Sequence, residues 1–321
     1  MNSTFKKILG ALFAMILVVG LAACGNGNNS STEAAGGDTS AAEETTAPAE
    51  TSEEGAATGS LPNGEINVVS REEGSGTRGA FVEITGVEQD KTDNTYEGAI
   101  VQNGTDLVMT YVAGDARSIG YISLGSLNDT VKAVPVDGVE ATEENVVNNT
   151  YALKRPFNIV YKEDKLTDLT KDFLAFIESK EAQDMAADAG VIAAFSDAKP
   201  YEGKDANLEG TIRVQGSTSV DPYMQKIEEA YKAIHTGVKF DHTANGSGAG
   251  IQAAIDDNAD IGMASREVKQ EELDQGLTAK AIAIDGICVI VAPENGVATL
   301  SMDQIKGIFT GEVRNWEDVA K

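Results

Sequence analysis

Residues 66–84 read INVVSREEGSGTRGAFVEI and combine the signals of a strand, a turn and a helix. The β-branched, apolar run INVV predicts a strand, and RGAFVEI at residues 78–84 predicts a helix that Ser75 or Thr77 caps. The polar loop between them is rich in glycine, which lets a backbone approach a ligand closely. A strand followed by such a loop and a helix N-terminus predicts an α/β fold with an anion-binding turn.

The same order of strand, turn and helix occurs twice more, in residues 211–234 (TIRVQGSTSVDPYMQKIEEAYKAI) and residues 238–255 (VKFDHTANGSGAGIQAAI). Residues 281–292, AIAIDGICVIVA, form the most strand-like run of the chain. In α/β folds such turns gather at the carboxyl ends of the strands, where ligands bind. Three turns of this kind, with Arg71 and Arg266 nearby, therefore predict a site for an anion.

Two enzyme classes share parts of these motifs. Residues 74–79, GSGTRG, match the G-x-G-x-x-G pattern of dinucleotide-binding enzymes, but that pattern requires an acidic residue about twenty positions later, after a second strand. The segment that follows, GVEQDKTDNTYEGA at residues 86–99, resembles a loop instead. The G-x-S-x-G pattern of serine hydrolases is absent, because Glu73 and Asn245 stand where its first glycine would be. We therefore expect no enzyme activity.

The N-terminus predicts export. Lys6 and Lys7 precede the apolar run ILGALFAMILVVGLAA, which ends directly before Cys24. This pattern is typical of a signal peptide over residues 1–23, with a membrane-spanning anchor as the alternative. The LAAC ending resembles the lipobox of bacterial lipoproteins, which implies acyl chains such as palmitate on Cys24 and a position on the outer face of the cytoplasmic membrane. The low apolar content of residues 24–60 predicts a disordered tether.

Composition excludes further classes of function. The chain has 51 acidic residues against 25 lysines and arginines, a formal net charge of −26, and it lacks a basic stretch that nucleic acid would require. Cys288 lies in an apolar strand and is predicted to be a buried thiol. The only histidines are His235, predicted at an exposed helix position, and His242, predicted in a strand or loop. We expect neither a metal nor a cofactor.

Eight motifs carry a resemblance to one family, the phosphate-binding proteins of bacterial ABC phosphate importers. They span most of residues 64–321 and are SREEGSGTRGAF (70–81), IGYIS (119–123), RPFNIVYK (155–162), GSTSV (216–220), NGSGAGI (245–251), DIGMASR (260–266), DGICVIV (285–291) and IFTGEVRNW (308–316). The resemblance implies an α/β, two-lobed, periplasmic-binding-protein-like fold of type II, with a ligand cleft between the lobes.

The order of these motifs differs from that of the family, in which GSTSV opens the folded chain. Here the family's two ends are fused through residues 196–210, SDAKPYEGKDANLEG. The order indicates a circular permutation, with a truncated tandem protein as the alternative. Carried onto this order, the resemblance implies one lobe made of residues 61–125 and 295–321, and a continuous lobe over residues 126–294.

The resemblance also implies which residues contact phosphate: Arg71, Ser75, Gly76, Thr77, Thr218, Ser219, Ser247 and Arg266. Some members have an aspartate at the position of Arg266, where it accepts the proton of hydrogen phosphate and helps to reject sulfate. Asp285, Glu72 and Glu73 are candidate replacements for that acceptor. For Glu72 and Glu73, a salt bridge with a nearby arginine is the alternative.

Together these features predict a monomeric lipoprotein that captures inorganic phosphate and presents it to the permease of an ABC transporter. Two alternatives remain on the sequence alone. The same architecture binds another oxyanion, such as sulfate or molybdate, or the protein is a surface sensor or adhesion protein without transport.

Overall fold

A computed structural model describes residues 60–205 and 207–319. The predicted signal peptide, Cys24 and nearly all of the tether lie outside these residues. None of the helices that the structure describes has both the length and the apolarity that crossing a membrane requires.

Ten helices are described: α1 Gly76–Ile84, α2 Thr105–Ala113, α3 Glu143–Val147, α4 Asp168–Ile177, α5 Lys180–Asp188, α6 Asp221–Ile234, α7 Ser247–Ile255, α8 Gln270–Leu273, α9 Met302–Thr310 and α10 Trp316–Val319. Twelve strands are described: β1 Asn67–Arg71, β2 Glu88–Gln89, β3 Thr92–Asp93, β4 Ile100–Gln102, β5 Ser118–Ser123, β6 Lys132–Val134, β7 Lys154–Tyr161, β8 Ile192–Ala193, β9 Glu209–Gly216, β10 Gly237–Ala244, β11 Ile261–Ala264 and β12 Thr278–Val291.

Ten of the described strands form one mixed sheet in the order β10-β9-β11-β7-β12-β5-β1-β4, with β6 and β8 also paired to β12. Strand β1 is parallel to both β4 and β5, and β9 is parallel to both β10 and β11. The parallel strands therefore form two groups, one around β1 and one around β9. Within each group, the turns that follow the strands lie at the same edge of the sheet. All three predicted strand–turn–helix segments are confirmed.

The buried hydrophobic side chains of the described residues form the cores of two lobes. The first lobe has its core in residues 66–153 and 287–319, and the second in residues 157–283. We define the first lobe as residues 60–153 and 286–319, and the second as residues 154–205 and 207–285. The lobe boundaries predicted at 125 and 295 are therefore misplaced, because residues 126–153 and 287–291 pack in the core of the first lobe.

The long strand β12 explains this displacement. Its first part pairs with β7 as far as Gly286, and its remainder pairs with β5 from Ile287 to Val291. One uninterrupted apolar strand thus contributes to both cores, and its sequence gives no break at which a boundary would be placed. Cys288, in the first-lobe part of the strand, is fully buried as predicted.

The two ends of the described unit lie side by side. Residue Glu65 forms an antiparallel bridge with Asn315, and the amide of Ile66 donates to the carbonyl of Arg314 at 2.8 Å. The amide of Trp316 donates to the carbonyl of Gly64 at 3.1 Å. Segments that a permutation would separate in sequence are therefore adjacent in space.

The segment predicted to fuse the family's ends docks on the second lobe through Tyr201. Its hydroxyl lies 2.7 Å from Nε2 of His235 and also bonds to the carboxylate of Asp172. The prediction that His235 is exposed is wrong, because this histidine ends α6 and only 3% of it is accessible. His242 lies in β10, as predicted.

Candidate anion-binding site

In the part of the chain that the structure describes, four helix N-termini meet between the lobes. Helices α1 and α2 follow β1 and β4 in the first lobe, and α6 and α7 follow β9 and β10 in the second. Each N-terminus presents backbone N–H groups that the helix cannot satisfy and a partial positive charge. Their convergence makes the region attractive to an anion despite the negative charge of the whole chain.

These N-termini differ in the residue that precedes the first turn of the helix. The N-cap residue of α1 is Ser75, whose hydroxyl accepts from the amide of Arg78 at 3.3 Å. The N-cap residues of α2 and α7 are instead Gly104 and Gly246, which have φ of 96° and 104°. A glycine adopts this conformation readily and brings no side chain that would cover the amides behind it. Among the described residues, neither of these glycine-led N-termini has a side-chain cap.

Hydroxyl groups from the two lobes meet directly across the cleft. Thr77 Oγ1 lies 2.9 Å from Ser219 Oγ, and both residues are buried. Thr105 Oγ1 lies 3.3 Å from Thr218 Oγ1. The amide of Gly248 donates to the carbonyl of Gly74 at 2.9 Å, which joins the lobes by a backbone hydrogen bond.

The contact is closest at Gly76 in the first turn of α1. A Cβ atom there would lie 2.2 Å from Ser247 Oγ and 2.7 Å from Ser265 Oγ, both in the second lobe. Ser247 Oγ in turn accepts from the amide of Ser265 at 3.0 Å. Only glycine therefore permits this approach of the lobes.

Arg71 supplies the positive charge of the site. It ends β1 with only 1% of its surface accessible, and its Nη2 donates to Thr218 Oγ1 at 3.1 Å. Its Nε and Nη2 also donate to the two carboxylate oxygens of Glu72, each at 2.7 Å. Its Nη1 is buried and has no hydrogen-bond partner among the described residues. Buried donors are nearly always paired, so this group points to a ligand.

Glu72 forms the salt bridge that was the alternative to a role as proton acceptor. Burial alone would raise the pKa of its carboxyl, but hydrogen bonds and charge from Arg71 outweigh burial and lower the pKa from its ordinary value. Its Oε2 also accepts from the amide of Gly104 at 3.2 Å. Glu72 is thus ionised and orients the Arg71 fork. Glu73 is exposed.

Arg266 lies beside the cleft and is paired within its own lobe. Its Nη1 and Nη2 donate to the carboxylate of Glu272 at 2.8 and 2.7 Å. Its Cδ lies 3.3 Å from where a Cβ of Gly79 would be, so the side chain packs against α1 of the other lobe. Because Glu272 neutralises much of its charge, Arg266 offers an anion less than the unpaired Nη1 of Arg71 does.

Asp285 is fully buried and bonded through both oxygens. Its Oδ1 accepts from Ser123 Oγ at 2.8 Å, and its Oδ2 accepts from Nε and Nη2 of Arg155 at 3.1 and 3.0 Å. Burial raises the pKa of its carboxyl although the charge of Arg155 opposes that shift. The structure therefore places Asp285 in an ion pair and not with its oxygens open to the cleft.

Sequence reasoning missed Thr105, Ser265 and Arg155. Thr105 follows Asn103-Gly104 and opens a helix, which is the same turn pattern as at residues 245–247. That signal was available, but β4 has only three residues and does not stand out as a strand. The partner of Arg155 lies 130 residues away in sequence, so no local pattern indicates it.

The histidines bond elsewhere: His242 contacts Asp221 and Glu228, and His235 contacts Tyr201. The site is rich in donors for a small tetrahedral oxyanion: amides, hydroxyls and the unpaired guanidinium nitrogen Nη1 of Arg71. Such a set binds an anion by replacing its hydration shell.

Comparisons with known proteins agree with this geometry. A family model described as a PBP superfamily domain matches residues 27–181 and 203–321. Phosphate-binding protein PstS 2 of Streptococcus agalactiae serotype V is 45% identical over 267 residues, which are 82% of this chain and 90% of that protein. Phosphate-binding protein PstS 2 of Streptococcus pneumoniae serotype 4 is 41% identical over 319 residues, 98% of this chain and 99% of that protein.

A solved structure is also similar. The crystal structure of a phosphate-binding protein of a phosphate ABC transporter from Streptococcus pneumoniae TIGR4 is 46% identical, with a TM-score of 0.65 over 80% of this chain and 100% of that chain. Sequence and fold therefore agree, and the chain belongs to the PBP superfamily and, within it, to the phosphate-binding protein family of these streptococcal relatives.

Proposed function

We propose that this protein captures inorganic phosphate between its lobes and delivers it to the permease of an ABC transporter. The observation that carries the proposal is the buried Nη1 of Arg71, an unpaired donor where four helix N-termini meet. The streptococcal relatives support it, since they are named phosphate-binding proteins and one is assigned to a phosphate ABC transporter.

In this proposal the protein holds the anion and does not transform it. The contacts are those that the family resemblance implies: Arg71, Ser75, Gly76, Thr77, Thr218, Ser219 and Ser247, with Arg266 at the rim. Amides and hydroxyls replace the water around the ion, and Arg71 donates charge-assisted hydrogen bonds. Because Arg71, Thr77 and Ser247 are buried, these short-range contacts exceed the repulsion from the net charge of −26. Glu72 is ionised and paired with Arg71, and we propose that its carboxylate accepts the proton of hydrogen phosphate from within that pair.

We further propose that lipid on Cys24 holds the protein as a monomer at the outer face of the cytoplasmic membrane. Two acyl chains give stable anchoring, at about 0.8 kcal/mol for each buried methylene. Mass spectrometry of the membrane-extracted protein checks this proposal. A mature chain that retains residues 1–23, or Cys24 without acyl mass, would contradict it.

The order of the chain is proposed to be a circular permutation. The contacts between residues 64–66 and 314–316 support it, because they allow those ends to be joined with a short linker. The order itself extends to the pneumococcal relative, which aligns over 98% of this chain. A chain reopened between residues 195 and 208, with residues 319 and 64 joined, is expected to fold and bind phosphate. Failure of that chain to fold would favour the truncated tandem.

Competition calorimetry tests the proposed ligand. A chain starting at Gly25, dialysed free of phosphate, is titrated with phosphate, sulfate and molybdate. We expect one-to-one phosphate binding with a dissociation constant of about 1 µM or lower, equivalent to about 8 kcal/mol, and no heat from the competitors. If sulfate or molybdate bound more tightly than phosphate, that anion would be the ligand instead. If the folded protein bound none of the three anions, a sensor or adhesion role would be favoured.

A further inference from the structure

The buried ion pair between Arg155 and Asp285 lies where the chain passes between the lobes. Within the described residues the chain crosses twice, between Leu153 and Lys154 and between Asp285 and Gly286. The crossings are neighbours in the sheet, because Arg155 is in register with Asp285 and Lys154 with Gly286. Two adjacent strands with the ion pair between them thus form the hinge.

Each partner of the pair is tied to a different lobe. Asp285 accepts from Ser123 Oγ at 2.8 Å at the end of β5 in the first lobe. Arg155 Nη1 donates to the carbonyl of Ser265 at 2.9 Å in the second lobe. The pair therefore bridges the lobes through one guanidinium and one carboxylate, both inaccessible to water.

Ser265 links the pair to the anion site. Its amide donates to Ser247 Oγ, and its own hydroxyl lies against Gly76 of the first lobe. A change in the position of Arg155 thus moves the residue against which the two lobes close. The pair touches the site through Ser265 and has no need to touch the anion itself.

A paired strand alone fixes the lobes poorly, because backbone ladders tolerate twisting and bending. A buried fork held by several hydrogen bonds has few alternative arrangements, and removing one partner leaves an uncompensated buried charge. We propose that Arg155 and Asp285 are positioning residues that hold the lobes closed and thereby set how long phosphate stays bound. This inference rests on the proposed function, although lobe closure can be measured without phosphate.

Three variants and a matched control test the hinge in the full chain, purified in detergent. Asp285→Asn keeps the shape of the side chain and removes its charge, Arg155→Lys removes the fork, and Ser123→Ala removes only one tether. Asp260→Asn is the control, because Asp260 forms a similar two-bond pair with Arg213 within the second lobe.

Two readouts separate a hinge role from a general loss of stability. The first is the pair of rate constants for phosphate association and dissociation. The second is amide exchange with and without phosphate, which compares Gly248, bonded across the cleft to Gly74, with Gly246, bonded within the second lobe to Gly216. General unfolding would raise exchange at both amides, whereas opening of the hinge raises it at Gly248 alone.

We expect Asp285→Asn and Arg155→Lys to speed phosphate dissociation at least about tenfold, with association changed less than about threefold. Ser123→Ala should also speed phosphate dissociation, and Asp260→Asn should change neither the dissociation rate nor the association rate. The hinge role would be overturned if Ser123→Ala, the variant least able to prevent folding, and any folded pair variant had the same phosphate dissociation rate and the same Gly248 exchange as wild type. If the wild-type protein binds no phosphate, the proposed function fails, and Gly248 exchange alone decides the hinge.

Discussion

Replacing Arg71 removes the one charged donor that, among the described residues of the cleft, has no hydrogen-bond partner. In the proposed site, Arg71→Ala removes the Nη1 donor and the nearby positive charge from the anion. Glu72 also loses the partner that lowers its pKa, and its carboxylate then faces the site without compensation. Both effects act against an anion.

The size of the loss follows from burial. Truncating one partner of a buried, hydrogen-bonded charge pair costs about 2–5 kcal/mol of binding free energy. With Arg71 99% inaccessible, we expect about 3 kcal/mol, or roughly a 150-fold weaker phosphate affinity. Arg71→Lys keeps the charge but loses the fork that Glu72 and Thr218 hold, and should lose about 1–2 kcal/mol.

Calorimetric titration of folded variants with phosphate measures these losses. Arg213→Ala is the control, because it removes the same charge from a half-buried residue paired with Asp260 within the second lobe. We expect its affinity to lie within about threefold of wild type, since Arg213 is paired with Asp260 outside the proposed site and solvent screens its partly exposed charge. An Arg71→Ala variant that binds phosphate as tightly as Arg213→Ala would refute the assignment of Arg71 to the site.

Three further outcomes are expected. Gly76→Ala should weaken phosphate binding at least about a hundredfold with little change in melting temperature, because its methyl group would meet Ser247 and Ser265 only when the lobes close; unchanged affinity would contradict the closed geometry. Burial disfavours the charged ring of His242, yet Asp221 and Glu228 outweigh it and raise the pKa to about 9. Since the folded-state pKa lies above the ordinary value of 6.5, this stabilisation is complete below pH 6.5 and is lost as the pH rises through about 9. The difference in unfolding free energy between wild type and His242→Gln, about 1 kcal/mol after solvent screening, should shrink as the pH rises through about 9 and disappear above it, and a constant difference would argue against the ion contacts. Tyr201→Phe should lower the unfolding free energy by about 1–2 kcal/mol, because it leaves His235 and Asp172 without that hydroxyl, and chemical denaturation with no change would count against docking of this segment.

The site could be predicted from sequence where the signal is local. A strand, a Gly-Ser or Gly-Thr turn and a helix are contiguous, so three of the four described N-termini were found around Ser75, Thr218 and Ser247. The fourth, at Thr105, was missed because β4 is too short to show a strand pattern. The family resemblance predicted that these turns and Arg71 belong to one site, and the structure places Arg71 among the turns.

Features that depend on distant residues were not predictable in this way. The lobe boundary falls inside β12, whose apolar pattern is continuous across both cores. His235 ends an amphipathic helix, and its burial depends on Tyr201 from a different segment. No local sequence pattern indicates that Arg155 and Asp285 form a pair, because the register of β7 and β12 in the sheet brings them together.

A crystal structure of the protein grown with phosphate, refined far enough to resolve a tetrahedral ion, tests the proposed site. We expect the ion between the N-termini of α1, α2, α6 and α7, within hydrogen-bond distance of Arg71 Nη1 and of the hydroxyls of Thr218 and Ser247. Phosphate bound elsewhere, with Arg71 Nη1 still unpaired, would contradict the account.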